Sequence, residues 1–367
     1  MMGPVVLLTT SLARGGAETQ VVLLAVALSE RGWTVHVVSL VEPNTFQAEL
    51  AAAGVEVHSL GMEPGRPDPR GAVRLATILR RVRPAVLHSH MFHANLMGRL
   101  ARLAFPVPRV ISTLHSMAES SRHSADVRWR DRLYRMTDSM ADCTVAVCQA
   151  VAERHVVSGA VRRNKLRVVP NGVDTGRFRP DESRRALIRG EMGVSGEFVW
   201  LAAGRLMWKK DYPVMLRAAA LQPRCALWIA GTGPMEEELR VLARELGVKV
   251  SFLGAREDIA ELMNAADALV LSSVVEGLPM VLLEAAASGL PCVATAVGGS
   301  GEVLVGSQAG FLTPCGDVEA LARSMERLAD LPERVRLEMG RALRAEVMER
   351  FDLRVVVSQW EKLYREG

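Results

Sequence analysis

Glu276 and Glu284 bracket the run Gly277-Leu-Pro-Met-Val-Leu-Leu283, and their types and spacing suit the chemistry of a polyhydroxyl, phosphorylated ligand. The preceding run Asp267-Ala-Leu-Val-Leu-Ser-Ser273 reads as a buried strand and loop. Leu278 to Ser288 reads as a helix with Pro279 near its first turn, where a missing N–H costs nothing. Glu276 then lies in the loop that feeds a helix N-terminus, where backbone N–H groups favour an anion. Glu284 lies about a turn and a half further in. A strand, an acidic loop and a helix opening fit a nucleotide sugar, although each carboxylate taken alone also fits an ordinary surface.

Other segments carry compatible chemistry. Thr10-Ser-Leu-Ala-Arg-Gly15-Gly16-Ala-Glu18 follows the first expected strand, and its paired glycines let backbone approach a bulky ligand. It is neither the Gly-x-Gly-x-x-Gly dinucleotide pattern nor a Gly-Lys-Ser/Thr phosphate loop. Gly204-Arg205-Leu-Met-Trp-Lys209-Lys210-Asp211 places cations beside a glycine in one loop, able to clamp a diphosphate. His88, His90 and His93 cluster after one strand and His115 after another. No carboxylates accompany them at the spacing of a catalytic metal site, so hydrogen bonding to substrate suits His115 better, and no metal ligand is assigned. Arg122, Arg128 and Arg130, with Arg132, Arg135, Trp129 and Tyr134, form a basic, aromatic-bearing segment. It suits a phosphorylated acceptor or an anionic membrane surface, and equally a solvated helix face.

These loops need a scaffold. Apolar runs alternate with amphipathic stretches from Val5 to Val169, and the alternation restarts at Phe198. That rhythm predicts two doubly wound α/β domains with parallel sheets, parted in the Pro- and Gly-containing stretch from Pro170 to Glu182. Ligands are then expected at the carboxyl ends of the strands. Arg334–Tyr364 reads as one long helical tail without a strand of its own.

The 367 residues suffice for two domains that each bury a core. The net charge of +4 is uneven: residues 1–175 carry 21 Lys and Arg against 14 Asp and Glu, and all eight histidines lie there. No zinc-finger or RNA-binding pattern accompanies the basic half, which argues against nucleic acid. Five scattered cysteines fit a reducing cytosol. With no signal-peptide pattern and no uncharged run of membrane-spanning length, the expectation is a cytoplasmic protein, able to sit peripherally at the inner membrane face.

Taken in order, Gly15-Gly16-Ala17-Glu18, Thr113-Leu-His115, Val169-Pro-Asn-Gly-Val-Asp174, Gly204-Arg205 with Lys210, Gly231-Thr-Gly-Pro234 and Glu276 through Glu284 resemble the retaining glycosyltransferases of family GT4. The resemblance implies a GT-B fold, with two Rossmann-like domains facing across a cleft. An acceptor-binding domain over 1–175 is rejoined by a terminal helix from about 346 to 367, and a donor-binding domain covers 176–345. It implies that Arg205 and Lys210 hold the donor diphosphate, with backbone at Gly15, Gly16, Gly204 and Gly277 to Val281 (including Leu278 and Met280) completing the cradle. Glu276 would grip the transferred sugar, Glu284 the ribose and His115 the reacting centre, while Leu253 and Arg256 would lie beside the base. No cofactor and no required metal are implied. The donor is expected to be a nucleotide sugar, UDP-linked in first place, and the acceptor a hydroxyl of a glycan or lipid-linked sugar, with Arg122, Arg128 and Arg130 facing it. A small soluble acceptor, or a non-catalytic nucleotide-sugar-binding subunit, are the alternatives. Asp211 stands where the family usually has Gly, and Gly298-Gly-Ser-Gly-Glu302 lacks the common Pro before its Glu.

Overall fold

The computed structural model describes residues 3–66, 68–117, 124–194, 196–304 and 310–366. The chain divides into two compact units, residues 1–172 with 353–367, and residues 173–352.

The first unit holds strands β1 (Val5–Thr9), β2 (Val35–Ser39), β3 (Glu56–Ser59), β4 (Val86–His90), β5 (Arg109–Leu114), β6 (Cys143–Ala146) and β7 (Leu166–Val168). They form one parallel sheet in the order β3-β2-β1-β4-β5-β6-β7. Strand residues alternate between faces, so β1 feeds two cores. Val5 and Leu7 pack under the helices Gly16–Glu30 and Leu353–Arg365, while Val6 and Leu8 pack toward Pro69–Val82 and Phe92–Ala101. The terminal helix is held by a stripe at helical spacing: Val356, Val357, Trp360, Leu363 and Tyr364 are all buried. Trp33 meets the Tyr364 ring edge-on at 5.8 Å and donates its indole N–H to Glu361 at 2.8 Å.

The second unit holds β8 (Phe198–Ala203), β9 (Cys225–Ala230), β10 (Val250–Gly254), β11 (Ala268–Leu271), β12 (Cys292–Thr295) and β13 (Gly310–Thr313). They form a second parallel sheet, ordered β10-β9-β8-β11-β12-β13. Both sheets reverse strand order once, between β1 and β4 and between β8 and β11, and such switch points open a crevice at the carboxyl ends of the strands.

Two expectations need correction. The tail is two helices, Glu333–Arg350 and Leu353–Arg365, because the chain turns at Phe351 and Asp352. There the Phe351 carbonyl accepts from the Val173 N–H at 2.8 Å, Val173 bridges Asp352, and the buried Asp352 carboxylate accepts from the Thr175 hydroxyl. Only residues from Leu353 on belong to the first unit. The helix Glu182–Glu191 is also absent from the sequence reading. It is mostly polar and announced chiefly by Asp181, whose side chain caps it from the Arg184 N–H at 3.1 Å.

The five cysteines are free. Among the described residues no helix is long and apolar enough to cross a membrane.

Candidate active site

In the second unit the loops after β8, β9, β11 and β12 are sewn together at the carboxyl ends of the strands. Gly204 N–H donates to the Ala230 carbonyl at 2.9 Å, and Leu206 N–H to Thr232 at 3.0 Å. The Ser272 hydroxyl donates to the Lys210 carbonyl at 2.7 Å, Val274 N–H to Lys209 at 2.8 Å, and the Thr295 hydroxyl to Ser273 at 2.6 Å. Gly231, with φ +143°, lets its loop press on Gly204; a methyl there would collide with the Gly204 carbonyl. Gly298, with φ +53°, does the same for the acidic loop, since its Cβ would lie 2.5 Å from the carbonyl oxygens of Glu276 and Gly277.

The packing delivers Lys210 to Glu276. The ammonium donates to Glu276 Oε1 at 2.6 Å, and the Ser273 hydroxyl donates to the same oxygen at 2.7 Å. Both partners are largely buried, with 20% and 12% of their side chains exposed. Tyr212 closes the floor, donating to the Gly204 carbonyl at 3.0 Å, and burial together with the nearby Glu276 charge raises its pKa. Arg205 is exposed at the end of β8 and makes no ion pair among the described residues. Gly277, Leu278, Met280 and Val281 are buried, so this segment can offer a ligand only its backbone, at the start of the helix Met280–Ala287.

Glu284 projects from that helix. Its side chain keeps some exposure, but the surrounding protein raises its pKa from 4.5 to about 7, against the opposing pull of Arg177 and then Lys210. Leu253 sits at a bulge in β10, where Gly254 shifts the register against β9. Arg256 is already engaged: both its Nε and an outer nitrogen donate to Asp258, at 2.7 Å for Nε.

Asp211 shows why a glycine is usual at its position. It takes φ +46° and ψ +47°, the left-handed conformation, so the loop keeps its shape and the aspartate carries the strain. Asp211→Gly is expected to leave stability unchanged or raise it by about 1 kcal/mol, read as the urea midpoint. A loss of more than about 1 kcal/mol would show that the aspartate is there for its side chain.

The first unit gathers its candidates at the other switch point. Gly15 caps the helix Gly16–Glu30 in an extended conformation, with exposed Gly16 opening it. At the ends of β4 and β5, His90 Nδ1 and His115 Nε2 lie 3.0 Å apart, while His90 Nε2 and His115 Nδ1 are buried and unpaired among the described residues. A small pocket is lined by Gln20, His90, Thr113, His115, Asn171 and Trp360, among others. Gln20 fixes its rim, holding both the N–H (2.7 Å) and the carbonyl (2.6 Å) of Gly172. Met91, directly after β4, has φ +70° and ψ +162°, a conformation expensive for a side-chain-bearing residue and typical of functional turns. His88 is built into the core, bridging the Tyr364 and Thr113 hydroxyls at 2.7 Å each, and His93 is exposed. The four histidines therefore do not converge on one point.

Burial lowers His88 and His90 well below 6.5, and His115 and His155 to about 4. The unfolded chain thus binds more protons below pH 6.5, and stability present above that pH is lost as pH falls toward 4. By pH 5 the cost is about 2 kcal/mol for each of His115 and His155. Urea unfolding of the first unit at pH 7 and pH 5 checks this; equal free energies would contradict it.

Within the basic segment, Arg128 is exposed, Arg130 stacks its guanidinium 4.9 Å from the Phe92 ring, and Trp129 is 56% exposed. Arg135 caps the helix Gln149–Val157 by donating to the Ser158 and Gly159 carbonyls. Arg122 lies outside the described residues. Sequence reading missed Ser273, Gln20, Tyr212 and Arg177: Gln20 acts through Gly172, 152 residues away, Ser273 and Tyr212 reach partners 3 and 8 residues away only through the turns of their loops, and Arg177 faces Glu284 only once the unit has folded.

Two family models cover most of the chain: glycosyltransferase family 4 matches residues 14–177, and glycosyl transferases group 1 matches residues 185–345. A D-inositol 3-phosphate glycosyltransferase of Saccharomonospora viridis is 31% identical, over 96% of this chain and 89% of that protein. The chain belongs to the group 1, family 4 glycosyltransferases. An Escherichia coli enzyme named UDP-Gal:alpha-D-GlcNAc-diphosphoundecaprenol alpha-1,3-galactosyltransferase is 27% identical to this glycosyltransferase, over 81% of this chain and 79% of that one. The crystal structure of Anabaena HepE with UDP and glucose shares the fold, with a TM-score of 0.87, 23% identity, and coverage of 98% and 99% of the two chains. As a member of this family the protein transfers a hexosyl group from an activated donor, and it has the GT-B fold of two parallel-sheet α/β domains.

Proposed function

We propose that this glycosyltransferase takes a sugar from a UDP-sugar and places it, with retention of anomeric configuration, on a hydroxyl of a lipid-linked or glycan acceptor in cell-surface polysaccharide or glycolipid synthesis. The observation that carries the donor half is the Lys210–Glu276–Ser273 cluster at the β8/β11 switch point, with Arg205 beside it and Glu284 on the adjoining helix. Arg205 and Lys210 supply the positive charge that a departing diphosphate needs, and Lys210, already held against Glu276, does so with little reorganisation. They fill the role a metal ion takes in other transferases, so turnover is expected without added divalent cation. Glu276, its Oε1 fixed by Lys210 and Ser273, offers its other oxygen to sugar hydroxyls. Glu284 receives the ribose, with Leu253 and Arg256 near the base. In the first unit, Gly15, Gly16 and a neutral His115 meet the phosphates and the sugar, and Arg128 and Arg130 face an anionic acceptor. Retention follows if the acceptor hydroxyl attacks from the face the diphosphate leaves, giving its proton to a phosphate oxygen while the C1–O bond breaks.

The lipid-linked acceptor is supported by relatives named for undecaprenol-diphosphate substrates, in Escherichia coli and in Campylobacter jejuni. A second reading, a small phosphorylated acceptor, is favoured by the 31% identical relative named for D-inositol 3-phosphate. Purified protein incubated with a panel of UDP-sugars, and either detergent-solubilised polyprenyl-diphosphate sugars or soluble sugar phosphates, separates them. Product on the lipid carrier with an α-anomer from an α-linked donor supports the proposal, and transfer confined to soluble acceptors replaces it with the second reading. An inverted product would remove the retaining mechanism.

A further inference from the structure

Away from the transferase machinery, the outer edge of the first sheet brings together two imidazoles and a carboxylate. His36 lies on β2, and Glu56 and His58 lie on the edge strand β3. The register pairs His36 with Glu56 and Val38 with His58, and strand alternation turns all three to the face covered by the helix Pro69–Val82. His36 stands near the start of its strand, whereas the donor and sugar candidates of this unit follow the ends of β1, β4 and β5.

We propose that His36, Glu56 and His58 form a binding site for a zinc-class divalent ion, which clamps the edge strand β3 to β2. The distances have the right scale. Ligands about 2.0–2.1 Å from a tetrahedral zinc ion lie about 3.3–3.4 Å from one another. His36 Nδ1 is 3.3 Å from His58 Nε2 and 3.3 Å from Glu56 Oε2, and one ligand atom from each of the three residues lies within 4.8 Å of the others. The two rings lie nearly parallel, at 22°, with nitrogens turned toward each other. Two facing nitrogens can share only one hydrogen when both rings are neutral, and a metal ion takes a lone pair from each.

The surroundings favour that use. Both histidine side chains are 12% exposed while Glu56 is 54% exposed, so an ion can enter from the carboxylate side. Arg81 donates to Glu56 Oε1 at 2.7 Å, leaving Oε2 turned to His36 and orienting the carboxylate as an outer partner does around bound metals. Two imidazoles and one carboxylate suit zinc, cobalt or nickel better than magnesium or calcium, and the remaining position is left to water.

The test uses the full-length protein stripped with a chelator and titrated with Co2+, then with Zn2+. One equivalent of Co2+ should bind with the visible bands of a low-coordinate site, Zn2+ should displace it, and Zn2+ should raise the unfolding temperature. His36→Gln, His58→Gln and the exposed Glu56→Gln should each weaken binding tenfold or more, with the folded state checked by circular dichroism. His90→Gln with His115→Gln should bind as the parent does. Wild type binding no more tightly than the His36→Gln/His58→Gln pair would overturn the proposal, as would loss of the Co2+ bands in the His90/His115 variant alone.

Discussion

Arg205→Ala is expected to cut turnover by about two to three orders of magnitude while leaving the unfolding temperature where it was. The guanidinium is exposed and makes no ion pair among the described residues, so its removal strands no partner. Lys210→Ala should cost as much in turnover but also destabilise. Its ammonium is 2.6 Å from Glu276 Oε1, and that carboxylate, 12% exposed, would keep only the Ser273 hydroxyl. An unpaired, mostly buried carboxylate costs about 1–3 kcal/mol. The double variant Lys210→Ala/Glu276→Gln, compared with Glu276→Gln alone because Glu276 is itself assigned to the sugar, separates the two effects. A neutral amide no longer needs the ammonium, so stability should return while turnover stays low. Turnover of the double variant equal to that of Glu276→Gln alone would mean that Lys210 serves the fold and does not clamp the diphosphate. Measured kcat for a saturating UDP-sugar, set beside urea midpoints, distinguishes these cases.

The second large effect is a pH dependence of donor binding that runs through Glu284. Its pKa of about 7 lies above the ordinary carboxylate value because burial penalises the charge. In the folded chain the charged form is thus disfavoured, and stability present below pH 4.5 declines as pH rises through 7, by about 3 kcal/mol in full. Ribose hydroxyls donate to a carboxylate, so binding favours the ionised form and releases a proton when it begins from the neutral acid. Donor affinity should therefore increase between pH 6 and pH 8. A UDP-sugar is the right probe, since its diphosphate is a diester without a titration in this range. Glu284→Gln should flatten the profile, weaken binding at pH 8 by about tenfold, and make the protein more stable than its parent at pH 8. Calorimetric titration at three pH values, for both proteins, measures the binding effects, and urea midpoints at pH 8 measure the stability. A parent affinity that does not change with pH would remove the ribose from Glu284.

How far the sequence led can be judged from particular elements. Strands such as Val5–Thr9 and Cys225–Ala230 were legible because an apolar run bounded by polar loops has few other ways to bury itself. The helix Glu182–Glu191 was not, since its sequence is mostly polar and its partner, the helix Ile259–Ala265, lies far along the chain. The tail looked continuous because helical propensity runs unbroken from Glu333 to Arg365, and only the pairing of Val173 with Phe351 and Asp352 shows where it must break.

By itself the sequence determined which residue types stand at the ends of which strands. Parallel βα alternation sends every such loop to one end of its sheet, which is a local property of the chain. Tertiary structure alone decided which of those side chains meet. Lys210 finds Glu276 across 66 residues, His36 finds His58 across 22, and Gln20 grips Gly172 across 152. Those encounters depend on strand order and register, which set the distance between loops, and on burial, which sets the charge state of Glu284, His90 and His115. Spacing in the chain encodes neither, because both arise from the packing of residues remote in sequence.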